Sequence, residues 1–132
     1  FMGVRHLFGT LDAVGGLTLG ADPISTAISL IAYQKGVYLS AMIVRKEPKS
    51  HGTQKYLEGA QHLKSSARVL VLEDVTTTGG SAIKAVERIR EGGFEPAGVL
   101  TVVDRQQGAH EIFKKAGLPF HSLCTLAEIQ KR

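Results

Sequence analysis

The segment RVLVLEDVTTTGGSAIKAVERIR, Arg68 to Arg90, organises the whole chain. It opens on Val69-Leu70-Val71-Leu72, a short apolar and partly β-branched run that reads as a strand buried on both faces. Two carboxylates follow, Glu73 and Asp74, then Val75, then the small, hydroxyl-rich Thr76-Thr77-Thr78-Gly79-Gly80-Ser81. Beyond them Ile83, Val86 and Ile89 recur at helical spacing, and Gly92-Gly93 closes the helix. A helix start offers unpaired N–H groups and a partial positive charge. Gly79 and Gly80 let the backbone approach an anion, and Thr76, Thr77, Thr78 and Ser81 add hydroxyl donors. The unit therefore reads as a phosphate cradle. The acidic pair would repel phosphate, so it should face ribose hydroxyls, a cationic carbon or a metal. The same spacing also fits an ordinary strand-to-helix turn with Ser81 as N-cap. Neither a GxxxxGK[ST] loop nor a GxGxxG turn occurs in the chain.

Working outward, Asp12 to Gly16 reads as a short strand entering a glycine-containing loop, Leu17 to Asp22. Asp22-Pro23 suits a helix start, and the following helix to about Gln34 is apolar enough to be well buried. The loop is a second place where backbone N–H groups meet a helix start, although a tight connection would use the same glycines. Tyr38 to Val44 reads as a strand that delivers Arg45, Lys46, Lys49 and His51 onto a loop broken by Pro48 and Gly52. That loop, Arg45 to Thr53, is expected to be a mobile lid, and Gln54 to Ser66 a mobile excursion. Pro96 to Val103 reads as another buried strand ending in Asp104-Arg105-Gln106-Gln107-Gly108. Arg105 suits either a bidentate clamp on a planar carboxylate or imide, or a salt bridge to Asp104 or Glu111. A short helix over 109–116, an edge strand over 120–124 and a last helix opened by Thr125 and Glu128 complete the chain, while residues 1–11 read as a tail. Repeated βα units with polar loops at one edge predict an α/β fold, a doubly wound parallel sheet of about five strands flanked by helices.

The chain has 132 residues, 43% hydrophobic and 21% charged, which suits a single domain, 1–132, with a core. No apolar run approaches the roughly 18 residues of a membrane span, and FMGVRHLFG lacks a signal-peptide pattern. The single Cys124 is compatible with a reducing compartment, so a cytoplasmic protein is expected. The net charge of +4 is scattered and aromatic residues are 6%, which argues against a nucleic-acid surface.

LVLEDVTTTGGSA resembles the phosphoribosyl-diphosphate (PRPP) signature of the type I phosphoribosyltransferases. GGLTLGADPI, VRKEPKSHG and VVDRQQGA narrow the resemblance to the orotate-using branch, from about Asp12 onward. The resemblance implies transfer of 5-phosphoribosyl from PRPP to orotate, giving orotidine 5′-phosphate and pyrophosphate in pyrimidine (UMP) biosynthesis. It implies that Val75 and Thr76 to Ser81 hold the 5′-phosphate while Glu73 and Asp74 bond the ribose hydroxyls. Thr18-Leu19 would belong to the pyrophosphate loop, in place of a lysine found in some relatives, so that backbone N–H groups do the holding. Arg45, Lys46, Lys49 and His51 would bind pyrophosphate, with Lys49 or His51 protonating or stabilising it and Asp74 bracing the forming cation. Thr77 and Arg105 match the orotate contacts. Mg²⁺ would arrive on PRPP oxygens, with no metal site of the chain's own. A homodimer that shares the basic loop across its interface is implied. The family's N-terminal segment, which covers orotate, finds no match, so a domain lacking it is expected. A PRPP- or nucleotide-binding module without turnover, and a phosphoribosyltransferase for another base, are the other readings.

Overall fold

A computed structural model describes residues 2–52 and 54–131. Six strands form one sheet: β1 (Ala13–Leu17), β2 (Ser40–Val44), β3 (Leu57–Glu58), β4 (Arg68–Thr76), β5 (Glu95–Asp104) and β6 (Phe120–Thr125). Their spatial order is β3-β2-β1-β4-β5-β6. All neighbours are parallel except β3, which pairs antiparallel with β2. The helices are α1 (Met2–Phe8), α2 (Asp22–Gln34), α3 (Gly80–Glu91), α4 (Ala109–Lys115) and α5 (Leu126–Gln130). The expected sheet of about five strands is thus present, with β3 added at one edge.

The sheet is covered on both faces. Val69 and Val71 of β4 pack with Ala82, Ala85, Val86 and Ile89 of α3 and Phe113 of α4. Leu70 and Leu72 pack on the other side with Phe8 of α1 and Ala32 of α2. The alternation of odd and even positions is what a doubly covered strand requires. Each such fully buried Val or Leu contributes about 1.5–3 kcal/mol of transfer free energy. The chain leaves β1 through α2 toward β2, and leaves β4 through α3 toward β5. Because β1 and β4 are neighbours, their outgoing loops diverge and open a crevice between them, the usual ligand position in such sheets.

Three local expectations are corrected. Residues 2–8 form a helix rather than a tail, and Phe8 is buried. Arg68 holds the end of α1 by donating from Nη1 to Phe8 O at 3.1 Å and Thr10 O at 2.7 Å. Gly15 and Gly16 lie in β1, as the strand reading of residues 12–16 expected, and a Cβ on Gly16 would fall 2.0 Å from Leu72 O. Helix α2 is not well buried: only Ser25 and Ala32 are, and Leu30 and Ile31 are exposed. Residues 54–66 are anchored by β3 and by the buried Leu57 and Ala60.

Candidate functional site

Backbone contacts string four loops along the carboxyl edge of the parallel strands, in sheet order. The Thr18 amide donates to Val44 O at 2.9 Å, joining the loop after β1 to the basic loop after β2. Gly20 lies against Asp74, so closely that a Cβ there would sit 2.8 Å from both carboxylate oxygens. The Arg105 amide donates to Thr76 O at 2.8 Å, joining the loop after β5 to the loop after β4. Other hollows lie elsewhere, among them one lined by Asp12, Tyr38 and His62 at the amino ends of the strands and one lined by Tyr56, Arg88 and Gly92 against α3.

The loop after β4 has the geometry of an anion nest. Helix α3 begins at Gly79, which has φ +95° and provides no side-chain cap, so Ser81 is not the N-cap. A glycine is required there, because an added Cβ would strain the left-handed backbone and meet the Phe113 ring at 3.2 Å. The first capping bond runs from Ile83 N to Gly79 O at 3.0 Å. Among the described residues, the amides of Thr77 through Ala82 have no backbone acceptor outside regular elements. Gly80 faces open space. Converging free N–H groups at a helix start make an anion nest. Thr76 Oγ1 is buried without a hydrogen-bond partner, whereas Thr78 and Ser81 are exposed.

Strand alternation separates the acidic pair. Glu73 follows Val69 and Val71 and is only 6% exposed, while Asp74 follows Leu70 and Leu72 and is exposed. Burial, with a smaller contribution from the neighbouring Asp74 charge, pushes the Glu73 carboxyl up to about 7. Asp74 Oδ1 accepts the Val75 amide at 2.7 Å, so that amide is not available to a phosphate. The remaining Asp74 oxygen faces the loop of Gly20. That loop contains a cis Thr18–Leu19 peptide, and Leu19 is 78% exposed. The Thr18 amide is already bonded and Leu19 O accepts the Asp22 amide at 3.1 Å, so among the described residues the amides of Leu19 and Gly20 remain for a ligand. Thr18 Oγ1 donates to Asp22 Oδ2 at 2.5 Å and fixes the start of α2.

The basic loop continues the β2–β3 hairpin: Arg45 N donates to Tyr56 O at 2.7 Å and Lys49 N to Lys55 O at 2.6 Å. Arg45 and Lys49 both approach Glu58 Oε1, at 3.3 and 3.7 Å, and Lys49 Nζ donates to Leu57 O at 2.8 Å. Lys46 and His51 are exposed, and Thr53 lies outside the described residues. A groove of about 380 Å³ runs between this loop and Thr18, lined also by Ile43, Arg45, Lys46, Glu47 and Glu58. At the other end of the edge Arg105 is exposed, and among the described residues its guanidinium has no carboxylate partner. The alternative salt bridge to Asp104 or Glu111 is not formed. Asp104 instead faces His110 and the Gln106 amide.

The family model described as uracil phosphoribosyltransferase matches residues 26–121. The chain belongs to the type I phosphoribosyltransferases. It is 49% identical over 121 residues to an orotate phosphoribosyltransferase of Nostoc sp., covering 92% of this chain and 58% of that protein. It is 50% identical over 118 residues to the Aquifex aeolicus orotate phosphoribosyltransferase, covering 89% and 63%. The chain thus spans about three fifths of the length of these relatives. Among solved structures, the Mycobacterium tuberculosis orotate phosphoribosyltransferase bound to PRPP matches with a TM-score of 0.78 and 41% identity, covering 94% of this chain and 69% of that one.

Within this phosphoribosyltransferase fold, two residues that sequence reasoning passed over matter to the edge. Gly20 gives Asp74 the room to stand beside the loop after β1; the glycine was visible, but its partner came from a strand 54 residues away. Glu58 holds Arg45 and Lys49. Its only sequence signal is a lone carboxylate after a cationic loop. Among the described residues no group of three or more His, Cys, Asp or Glu side chains could hold a metal ion. Beside the loop after β4 the donor set is one exposed carboxylate, Asp74. That set fits Mg²⁺, which binds through one or two carboxylates together with substrate phosphates and water.

Proposed function

We propose that this chain carries the site that transfers a phosphoribosyl group from PRPP to orotate, releasing pyrophosphate and forming orotidine 5′-phosphate. The observation that carries the reading is the anion nest at Thr77–Ala82, flanked on one side by Asp74 and on the other by an unpaired Arg105. In this reading the nest, with the hydroxyls of Thr76, Thr77, Thr78 and Ser81, takes the 5′-phosphate. The bond from ribose carbon 1 to the pyrophosphate oxygen breaks as the bond to the orotate ring nitrogen forms, the proton of that nitrogen passes to solvent, and carbon 1 carries positive charge between the two. Asp74 braces that charge, an electrostatic role of the kind that dominates catalysis at developing charges. Leu19 and Gly20 offer backbone to the departing pyrophosphate. Lys46 and His51 are free to approach it, and Arg45 and Lys49 join once they leave Glu58, with Lys49 or His51 giving the proton. Mg²⁺, when bound, neutralises the phosphate oxygens, held by substrate and by Asp74.

Arg105 supports orotate as the acceptor. Orotate bears a carboxylate that uracil lacks, and a guanidinium fork meets a planar carboxylate with two parallel bonds. The relatives named for orotate agree with this, whereas the family model is named for uracil. A uracil-using enzyme is therefore the second reading, and Arg105 discriminates between the two. Arg105→Ala should weaken orotate binding by about 2 kcal/mol, the scale of a lost charge-assisted bond, with little effect on PRPP. Arg105→Lys should weaken it less. Calorimetric titration of each variant with both ligands is the test. Equal losses for orotate and PRPP would make Arg105 structural, and wild-type binding of uracil in preference to orotate would favour the second reading. The same proposal makes the protein a cytoplasmic homodimer whose basic loop reaches the neighbouring subunit's site. No helix among the described residues is long and apolar enough to cross a membrane.

A further inference from the structure

Asp104 stands at the end of β5 with only 1% of its surface exposed, yet no role in substrate binding reaches it. A buried carboxylate is costly unless its oxygens are engaged. Here Oδ1 accepts the Gln106 amide at 2.8 Å, closing a turn over Arg105. Oδ2 has no hydrogen bond; its nearest cation-forming group is His110 Nε2 at 3.5 Å, an ion-pair separation rather than a hydrogen-bond length. Gln106 has φ +61°, a left-handed backbone that a non-glycine residue adopts only when its surroundings hold it there. Two clamps hold it: the Asp104 carboxylate on its amide, and the Ala127 amide, at the start of α5, donating to its Oε1 at 3.3 Å. On the other side of the turn the Arg105 amide is bonded to Thr76 O. The backbone is thus fixed before, at and after Arg105, while the guanidinium stays free.

We infer that Asp104 is a positioning residue: it holds Gln106 in its left-handed turn and so aims Arg105 across the edge toward Thr76 and Thr77. This rests on the reading of Arg105 as the group that recognises the acceptor carboxylate. The side chain acts through the loop and touches no substrate. It follows that acceptor affinity depends on Asp104 although PRPP affinity does not, because the nest at Thr77–Ala82 belongs to a different loop. A purely structural carboxylate would move both affinities, or neither.

The test compares Asp104→Ala with Asp104→Asn in the full chain. Asparagine keeps an oxygen for the Gln106 amide, and alanine does not. Loss of a buried acceptor from a charged group corresponds to about tenfold or more in an equilibrium constant. Asp104→Ala should therefore raise the orotate KM about tenfold, with kcat and the PRPP KM within about twofold of wild type, and Asp104→Asn should restore most of the loss. A second measurement is independent of the acceptor. Trypsin cleavage at the Arg105–Gln106 bond, followed by mass spectrometry without substrates, should accelerate in Asp104→Ala and return toward the wild-type rate in Asp104→Asn. Unchanged cleavage in Asp104→Ala would overturn the positioning role, as would equal losses for orotate and PRPP. Faster cleavage in a protein whose wild type does not use orotate would keep the role for Asp104 in ordering the loop and overturn the acceptor reading alone. If Asp104→Ala does not fold, Asp104→Asn decides: wild-type cleavage and KM support the role of the shared oxygen, and tenfold losses in both substrates overturn it.

Discussion

The raised carboxyl of Glu73 makes a prediction about stability that can be worked through. Glu73 is 6% exposed on β4 and its carboxyl sits at about 7 against an ordinary 4.5, pushed up first by burial and then by Asp74. In the unfolded chain it ionises near the ordinary value; in the folded protein it stays neutral until higher pH. Below pH 4.5 both states are protonated and the group costs nothing. Between 4.5 and 7 only the unfolded state loses its proton, so folding loses stability as pH rises through this window. A tenfold difference in proton affinity between the two states corresponds to about 1.36 kcal/mol, so the full loss is of order 3 kcal/mol at pH 8. Glu73→Gln keeps the shape and removes the titration. The variant should match wild type near pH 4.5 and exceed it by about 2–3 kcal/mol at pH 8. With a urea dependence of about 2 kcal/mol per molar, this amounts to a midpoint shift of roughly 1 M or a little more. The assay is urea unfolding of both proteins followed by far-UV circular dichroism at pH 5 and pH 8. Two results would refute the reasoning: a gain of equal size at both pH values, which would reflect packing alone, or no gain at pH 8, which would mean that the carboxyl titrates normally.

Asp74→Asn keeps the shape beside Gly20 but removes the charge, and steady-state turnover should fall roughly a hundredfold or more with the fold intact, as for a lost electrostatic contact of about 3 kcal/mol. Gly79→Ala forces a side chain onto a left-handed backbone facing Phe113, and thermal unfolding should show a cost of about 1–2 kcal/mol, with weaker phosphate binding by titration. PRPP with Mg²⁺ should slow trypsin nicking after Lys46 and Lys49, because a bound pyrophosphate would draw these side chains into contacts they lack in the free protein; equal rates with and without ligand would count against a closing loop.

Much of this architecture was legible because its signals are local. The apolar runs of β4 and β5, the helical spacing of Ile83, Val86 and Ile89, and the capping residue Thr125, whose Oγ1 accepts the Glu128 amide at 3.2 Å, each declare themselves within a few residues. The loop of free amides at the start of α3 was legible for the same reason: hydroxyls, glycines and a helix start are adjacent in sequence. What escaped depends on partners distant in the chain. Residues 2–8 contain no cap or clear periodicity, and their helix is secured by Phe8 in the core and by Arg68. Helix α2 carries Leu30 and Ile31, which stay exposed among the described residues, so composition alone overstated its burial. Residues 54–66 read as polar and loose because their anchors, Leu57 and Ala60, are single apolar positions rather than a run.

The cations and carboxylates of the edge illustrate the same limit, with a consequence for mechanism. As a sequence, Arg45-Lys46-Glu47-Pro48-Lys49 is a charge run, and Glu73-Asp74 a matched pair. In three dimensions each splits. Arg45 and Lys49 are engaged by Glu58, which a pyrophosphate would displace under the proposed function, while Lys46 has no ion pair among the described residues. The partly exposed Arg45–Glu58 pair is worth little in water, so the exchange is not a large barrier. Glu73 is buried and near half-protonation at neutral pH, whereas Asp74 is exposed and next to Gly20. The two carboxylates therefore differ in burial and in surroundings. A neutral carboxyl can donate a hydrogen bond, while only the ionised one can stabilise a forming cation. Under the proposed reaction Asp74 would carry the electrostatic task, with the buried Glu73 on the opposite face of β4.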